Sequence, residues 1–297
     1  MKDKNKTRKS RKKTQKGAGK FVSDPANAGK ITRESIGYSL PVDQPLFEPF
    51  PYTYKNITIL TYTYETDRAA ALELLPAQFE LPPGPAIARM IFANFEFSSL
   101  GFYNEVAQAI VCFYRQPDGT LMTEKTKEDA VPKKFVYPTR FHVTSDRAMA
   151  AGREILGIPK KIGVINFRKG AEYLCTLESP AGLPICSAVL VPGTKLPVLF
   201  PMPPTSYASI RVIPNYDLDP IKPFNPSIRQ LLESGWVLRS GELWSGTGSV
   251  HLTGASNLDP YHKLPILNYH PSPANPCPVS LFMGEMSIDT VSLLENF

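Results

Sequence analysis

The stretch DRAMAAGREILGIPKKIGVINF, residues 146–167, carries most of the information about how this chain folds. Ser145 or Asp146 can cap a helix over DRAMAAGREIL, and Gly157 and Pro159 stand where such a helix ends. After Pro159 the segment KKIGVINFR predicts an extended strand. The inner stripe of the helix consists mainly of small residues, which predicts close packing against a sheet: Ala148, Ala151, Gly152 and Ile155.

The β-rich pattern continues on both sides of this stretch. The run YTYKNITILTYTY, residues 52–64, alternates β-branched and aromatic residues and predicts a strand. Two other helices are predicted, DRAAALELL at 67–75 and MSIDTVSLLENF at 286–297, and the charged segment TEKTKEDAVPKK at 123–134 is predicted to be a loop. Many strands, few helices and thirty prolines indicate a mostly β (α+β) fold rather than a doubly wound sheet. Further strands are predicted at 86–97, 103–114, 171–178, 184–191, 207–213, 236–243, 247–253 and 278–288.

Residues 1–45 differ in composition from the rest of the chain. Residues 1–20 hold ten of the 33 lysines and arginines and one acidic residue, so the rest of the chain has 23 basic and 26 acidic residues. We therefore predict a disordered basic leader over residues 1–45 and one domain over residues 46–297. The leader could make weak contact with RNA, anionic lipid or an import receptor, whereas the domain lacks a positive field for nucleic acid.

Several common kinds of functional site are not indicated by the sequence. The four cysteines lack the spacing of a zinc site, and a disulfide framework is not expected in a chain of 297 residues. The four histidines show no metal spacing, and there is no phosphate-binding loop, dinucleotide fingerprint or Gly-x-Ser-x-Gly elbow. The first 45 residues lack the apolar core of a signal peptide, and the sequence has no apolar run of about 18 residues, so we expect a cytoplasmic protein without a membrane span.

The adjacent lysines Lys160 and Lys161 are the candidates for chemistry. They follow a proline and are flanked by apolar residues such as Ile155, Leu156 and Ile158. An ammonium group is costly to bury unless it is paired or loses its proton, and a desolvated lysine is an amine nucleophile. Neighbours on a strand point to opposite faces, so Lys160 would be buried and Lys161 would position the strand through an outward contact. Spacing alone favours a plainer alternative, an exposed lysine pair at a strand end.

Ala-Gly-Arg-Glu at 151–154, followed by Pro-Lys-Lys at 159–161, resembles the active-site signature of the acetoacetate decarboxylase superfamily. Three further segments fall in that family's order: LGFYNE at 100–105 resembles its glutamate loop, VIPNYD at 212–217 its post-strand turn and ELWSG at 242–246 its tryptophan motif. The resemblance covers roughly residues 46–297. It implies that Lys160 forms a Schiff base, that Lys161 takes a supporting position beside it and that Glu105 assists proton transfers.

The resemblance also implies a mostly antiparallel, barrel-type β fold, homo-oligomeric assembly and a carbon–carbon lyase without a cofactor or metal. The expected substrate is a β-keto acid or a related carbonyl compound, decarboxylated through an imine at Lys160. Two alternatives stay open. The same imine could serve an aldolase, dehydratase or cyclase of specialised metabolism, or the protein could be a non-catalytic ligand-binding protein. Retention of Pro-Lys-Lys and Glu105 argues against the last of these.

The chain departs from the family where a small carboxylate is handled. Family members carry an arginine on the first strand, where this chain has Ile57, and an Arg-Phe-Glu run on the next, where it has Ala-Arg-Met-Ile at 88–91. We therefore expect acetoacetate to be a poor substrate, because no cation would hold its carboxylate. Arg153 and Glu154 are predicted to be structural, as an ion pair that links helix to barrel. Several aromatic residues would line a roomier pocket or form plain core: Phe92, Phe95, Phe102 and Tyr103.

Overall fold

The computed structural model describes residues 46–125, 130–215, 225–254, 257–270 and 277–296, so the predicted leader lies outside the described residues. Over these ranges the chain forms fifteen strands and the helices α1 (Arg68–Leu74) and α2 (Asp146–Glu154). In chain order the strands are β1 (Tyr52–Thr66), β2 (Phe79–Glu80), β3 (Ala86–Ser98), β4 (Tyr103–Tyr114), β5 (Thr123–Lys125), β6 (Ala130–Pro132), β7 (Lys134–Val143), β8 (Lys160–Ile162), β9 (Val164–Arg168), β10 (Tyr173–Glu178), β11 (Pro184–Lys195), β12 (Thr205–Asn215), β13 (Asn225–Leu252), β14 (Asn268–Tyr269) and β15 (Val279–Asn296).

Seven strands close into a barrel. They follow the order β12-β7-β4-β3-β1-β15-β13, and β12 pairs with β13 to complete the ring. Every pair in the ring is antiparallel except the short contact between β7 and β12, where Val136 lies opposite Tyr207. The predicted mostly β, antiparallel barrel-type fold is therefore confirmed.

A second layer of strands covers one side of the barrel. The first part of β13 pairs with β12 and its last part pairs with β11, from which β10 and β9 continue the sheet. A core of apolar side chains fills the space between this layer and the outer face of β1, β3 and β4, with Leu60, Met90 and Phe92 on one side and Leu177 and Leu190 on the other. Because side chains alternate along a strand, the odd-numbered neighbours on β3 point into the barrel.

Helix α2 packs against the barrel through small residues. The Ser145 hydroxyl accepts a hydrogen bond from the Ala148 amide and caps the helix, as predicted. The predicted inner stripe is also confirmed, since Ala148, Ala151, Gly152 and Ile155 are buried. None of the helices in the described ranges is both long and apolar enough to cross a membrane.

Two predictions about local structure are wrong. The segment 286–297, predicted as a helix, belongs to β15 as far as Asn296, and this strand pairs with β13 from Gln230 to Ser245. Long-range pairing of its β-branched residues outweighs the local helix preference of its leucines and glutamate. The predicted loop at 123–134 contains two short strands, β5 and β6, which pair with each other.

Candidate active site

Lys160 begins β8, a three-residue strand that pairs in parallel with β7 and places Lys160 opposite Phe141. Its side chain is almost completely buried, at 3% exposure, whereas that of Lys161 is 51% exposed. The prediction that the two lysines point to opposite faces is therefore confirmed. The alternative that spacing favoured, an exposed lysine pair at a strand end, is wrong because Lys160 is buried.

Helix α2 makes the space that Lys160 occupies. A Cβ atom at Gly152 would lie 2.4 Å from Cδ of Lys160, so only glycine leaves room for this lysine in its present position. The chain then turns at Gly157, whose φ of +66° suits glycine, and the Ile158 amide donates to the Gly152 carbonyl at 2.9 Å. The helix and the turn after it thus fix where the lysine side chain enters the barrel.

The helix is tied to the barrel through backbone carbonyls. Arg153 Nη1 donates to the carbonyl of Lys160 at 3.0 Å, and Arg211 Nη1 donates to the carbonyl of Glu154 at 2.7 Å. The predicted ion pair of Arg153 and Glu154 is not found among the described residues. The Arg153 side chain does link helix to barrel, whereas Glu154 contributes through its backbone carbonyl.

Glu105 is the partner of the buried lysine. It lies on β4, is 2% exposed, and its Oε2 accepts a hydrogen bond from Lys160 Nζ at 2.9 Å. Burial raises the pKa of the Glu105 carboxyl above its usual value, and the charge and hydrogen bond of Lys160 oppose that rise. The two residues, predicted separately from distant segments, form one buried pair in which a proton can be exchanged.

Aromatic rings surround the remaining faces of the Lys160 amine. Nζ lies 4.8 Å from the ring centroid of Phe141 and 5.7 Å from that of Tyr103, distances at which a cation is attracted to a ring. Tyr103 in turn lies beside Tyr54, with ring centroids 6.5 Å apart. Burial raises the pKa of Tyr103 well above its usual value, so its hydroxyl stays protonated at neutral pH.

The interior of the barrel contains a cavity of about 520 Å³ that reaches Glu105, the partner of Lys160. Glu105 and Phe141 line it, and both contact the Lys160 amine. Its other walls are mainly apolar and aromatic, and among the described residues that line it Arg89 and Glu105 are the formally charged ones. This volume falls within the ordinary range of small-molecule sites. A further cavity of about 290 Å³ near Arg211 lies away from the lysine.

The positions that depart from the family are divided between the two faces of β3. Arg89 and Ile91 line the cavity, whereas Ala88 and Met90 are buried in the core between the barrel and the second layer. Arg89 therefore places a cation in the cavity, while the expectation that no cation holds the carboxylate of acetoacetate stays a prediction. Ile57 is buried on β1, opposite Phe95.

The aromatic residues expected at the pocket are separated by the fold. Phe95 lines the cavity and Tyr103 lies against the lysine. Phe92 belongs to the core between the layers, and Phe102 is 63% exposed in the turn before β4. Strand alternation explains the division of the first two, since Phe92 and Phe95 are three positions apart.

Lys161 is anchored on the outside of the barrel. Its Nζ lies 2.8 Å from Asp259 Oδ1 and 3.0 Å from the carbonyl oxygen of Leu258. The same Asp259 oxygen lies 3.2 Å from His142 Nε2, and His142 Nδ1 is 2.9 Å from the Tyr261 hydroxyl. Burial lowers the pKa of His142, against the opposing charge of Asp259, so this histidine is neutral at pH 7. The predicted outward contact of Lys161 is confirmed.

Several of these residues were missed by the sequence analysis. Asp259 and Tyr261 lie far along the chain from His142, and no local pattern connects them. The cavity position of Arg89 could be found only with the strand register that sets its face. In the described part of the chain, no group of three or more histidine, cysteine, aspartate and glutamate side chains is arranged to hold a metal ion.

Comparison with known sequences agrees with this geometry. The sequence model of the family "Acetoacetate decarboxylase (ADC)" matches residues 39–271. A protein named "Decarboxylase DEC1" from Cochliobolus heterostrophus is 24% identical over 259 residues, which cover 81% of this chain and 90% of that protein. An acetoacetate decarboxylase from Clostridium botulinum is 29% identical over 235 residues, which cover 76% of this chain and 84% of that protein.

Solved structures share the fold. An acetoacetate decarboxylase from Legionella pneumophila gives a TM-score of 0.66 at 19% identity, covering 86% of this chain and 91% of that one. The enduracididine biosynthesis enzyme MppR, complexed with the condensation product of pyruvate and imidazole 4-carboxaldehyde, gives 0.64 at 18% identity, covering 91% and 99%. The family match spans most of the chain and its relatives are named as decarboxylases, which supports a decarboxylase or a decarboxylase-like enzyme with a small-molecule substrate. This chain belongs to the acetoacetate decarboxylase family.

Proposed function

We propose that the protein is a cofactor-free carbon–carbon lyase that decarboxylates a β-keto acid or a related carbonyl metabolite through an imine at Lys160. The observation that carries the proposal is the buried Lys160–Glu105 pair at the wall of a largely apolar cavity. A buried amine beside a single carboxylate is an arrangement suited to nucleophilic attack on a carbonyl. A homo-oligomeric state and a cytoplasmic location remain predictions from the sequence.

The reaction proceeds in four steps. The Lys160 amine attacks the ketone carbon, and the carbonyl oxygen leaves as water to give a protonated imine. The bond between the α-carbon and the carboxylate then breaks, its electron pair moves toward the iminium nitrogen, and carbon dioxide leaves. The resulting enamine takes a proton at the α-carbon. Water then adds to the imine carbon, which releases the ketone product and restores the amine.

Glu105 would carry the protons that these steps move. The amine must be neutral to attack, and transfer of a proton from Lys160 to Glu105 converts a buried ion pair into two neutral groups. Burial favours that conversion, as the raised pKa of Glu105 indicates. The protonated carboxyl can then give its proton to the departing water. The enamine takes one further proton from solvent, which the Glu105 carboxylate can relay.

The shape of the cavity supports a substrate larger than acetoacetate. A volume of about 520 Å³ exceeds what a four-carbon acid fills, and most of its wall is apolar or aromatic. Apolar walls reward apolar substrate surface at roughly 25 cal/mol per Å² buried. We therefore expect longer, less polar β-carbonyl compounds to react better than acetoacetate.

A second candidate reaction uses the same imine to join or dehydrate carbonyl compounds. The volume of the cavity favours it, because condensation requires room for two reactants. The MppR structure, which shares the fold, holds a condensation product of pyruvate and an aldehyde. Loss of carbon dioxide distinguishes the two reactions, since only the lyase releases it.

The proposal is tested by trapping the imine. Borohydride is added to the protein with each member of a series of β-keto acids and ketones, and the peptide that contains Lys160 is analysed by mass spectrometry. We expect that peptide to gain the mass of the reduced substrate. Lys160→Ala should remove both labelling and turnover, whereas Lys169→Ala, a surface lysine paired with Glu96, should behave as wild type. Undiminished labelling of the Lys160→Ala variant would rule out the mechanism.

A further inference from the structure

Arg89 is the cavity cation that the proposed chemistry at Lys160 does not use. It points into the barrel from β3, and its Nε is shielded from solvent without a hydrogen-bond partner. Its guanidinium can donate five hydrogen bonds, but within the described ranges it makes no hydrogen bond and no ion pair. Arg89 is only partly buried, so the rest of its guanidinium faces the cavity, where the oxygens of a bound anion could accept hydrogen bonds and pair its charge.

Two other polar side chains lie near Arg89, those of Thr63 and Tyr207. Thr63 lies directly opposite Arg89 in the β1–β3 ladder, and its buried hydroxyl has no partner among the described residues. Tyr207 lines the same part of the cavity, and its ring stacks on Trp236 with centroids 4.6 Å apart. Burial raises the pKa of Tyr207 to about 12, while the charge of Arg89 opposes that rise. The hydroxyl of Tyr207 therefore stays a donor at neutral pH.

Arg89 and the reacting pair lie at different positions along the barrel wall. Ala93 lies opposite Glu105 in the β3–β4 ladder, and Arg89 is four residues further along the same strand. At a rise of about 3.3 Å per residue, the two positions are roughly 13 Å apart along the barrel wall. Side chains shorten this gap, but a substrate that contacts both groups must still extend along the wall, which suits a chain longer than the four carbons of acetoacetate.

We propose that Arg89, with Tyr207 beside it, binds a carboxylate at the far end of the substrate from the carbonyl that reacts with Lys160. The substrate class is then a carbonyl compound with an apolar chain of several carbons that ends in a carboxylate. The apolar wall between the two ends, which includes Ile91 and Ala93, contacts that chain. This inference deepens the proposed function, on which the role of the carbonyl end rests.

The anion site can be tested without imine chemistry, because octanoate has the chain and the carboxylate but no ketone. Calorimetric titration should show octanoate binding to the wild type about 10- to 100-fold more tightly than octanamide, as expected for charge-assisted hydrogen bonds. Arg89→Met should abolish this preference, Arg89→Lys should keep part of it, and Arg168→Met, an exposed arginine on β9, should keep all of it. Equal affinities in the wild type, or a preference that survives in Arg89→Met, would overturn the proposal.

A second readout separates binding from a structural role. If Arg89 is unpaired in the empty protein, Arg89→Met removes an uncompensated charge, and the melting temperature should rise by about 2–8 °C. A fall in melting temperature would show that Arg89 supports the fold. Equal wild-type affinities for octanoate and octanamide would overturn the binding claim even if the variant does not fold.

The two proposals can fail separately. A ketone with a distal carboxylate, 7-oxooctanoate, and its methyl ester serve as trapping probes with borohydride. Labelling of Lys160 by 7-oxooctanoate at about tenfold lower concentration than by the ester, with the advantage lost in Arg89→Met, supports both. Octanoate binding that depends on Arg89, without any labelling of Lys160, would keep the anion site and reject the imine.

Discussion

The two ends of the barrel cavity treat buried charge in opposite ways. At one end the Lys160 ammonium group is hydrogen-bonded to Glu105 and flanked by aromatic rings. At the other end the Arg89 guanidinium lies in the same cavity without an acceptor among the described residues. A pair of opposite charges can exchange a proton and return to its starting state, which suits a catalytic pair. A charge without a partner is stabilised only by a ligand, which suits a binding site.

Glu105→Gln disrupts the Lys160–Glu105 pair most directly. The amide keeps the shape of the side chain but cannot take the lysine proton, so turnover should fall by about 10²- to 10⁴-fold. Imine trapping at Lys160 should be slowed rather than lost. Steady-state rates and trapping time courses check this, with Glu96→Gln, an exposed glutamate on neighbouring β3, as the control that should stay within about twofold. Full turnover in Glu105→Gln would remove Glu105 from the mechanism.

Gly152→Ala perturbs the same end through the position of the lysine. The new Cβ would meet Cδ of Lys160 at 2.4 Å, so the side chain must shift, and a displacement of about 1 Å can cost about 10²-fold in rate. The free energy of unfolding should change less than the activation free energy does, because alanine is about 1 kcal/mol more favourable than glycine inside a helix. Gly170→Ala is the matched control, since its Cβ would meet its nearest neighbour at an ordinary 3.6 Å. Wild-type rates in Gly152→Ala would show that this packing does not place the lysine.

The pH dependence of stability measures the cost of burying the carboxylate. The folded-state pKa of Glu105 is raised from 4.5, so the folded protein holds this proton more tightly than the unfolded chain. The stability gained from the protonated group is present below pH 4.5 and is lost as pH rises through the folded pKa. The unfolding free energy of wild type relative to Glu105→Gln should therefore decline over that range in urea titrations. A rise in this free energy would mean that the charge and hydrogen bond of Lys160 outweigh the desolvation of the Glu105 carboxylate.

Among these variants, Lys161→Met should have the smallest effect on turnover. The Lys161–Asp259 pair is half exposed at the lysine, and such pairs contribute about 0–1 kcal/mol. We expect turnover to fall by less than about tenfold, through a looser β8. The charge of Lys161 lowers the pKa of His142, so the variant should raise that pKa, as proton NMR of the imidazole can show. An unchanged His142 titration would place Lys161 outside this network.

How much of the site could be predicted from the sequence depends on the distance between the residues involved. The signature around Lys160 is local. It predicts both the helix that packs against the lysine and the opposite directions of the two lysine side chains. Glu105 was identified as a separate motif, and only the pairing of β4 with β7 and of β7 with β8 brings it to the lysine. The reactive residues could therefore be named, but not their contact.

The rest depended on strand register and on pairing over long distances. In the sequence, Arg89 lies in the segment where family members carry Arg-Phe-Glu. A shift of one residue in the register of β3 would move its side chain from the cavity to the core. The end of the chain was misassigned for a related reason, since pairing of β15 with β13 decides its structure. Local patterns cannot contain either kind of information.

Oxygen exchange with solvent tests the central claim most directly. Imine formation expels the ketone oxygen as water, and hydrolysis of the product imine at Lys160 takes its oxygen from solvent. Ketone formed in ¹⁸O-labelled water should carry the label once per turnover when product is sampled rapidly. Background exchange is measured with Lys160→Ala and unlabelled product. Ketone that retains the original substrate oxygen, while carbon dioxide is released at the full rate, would contradict the account.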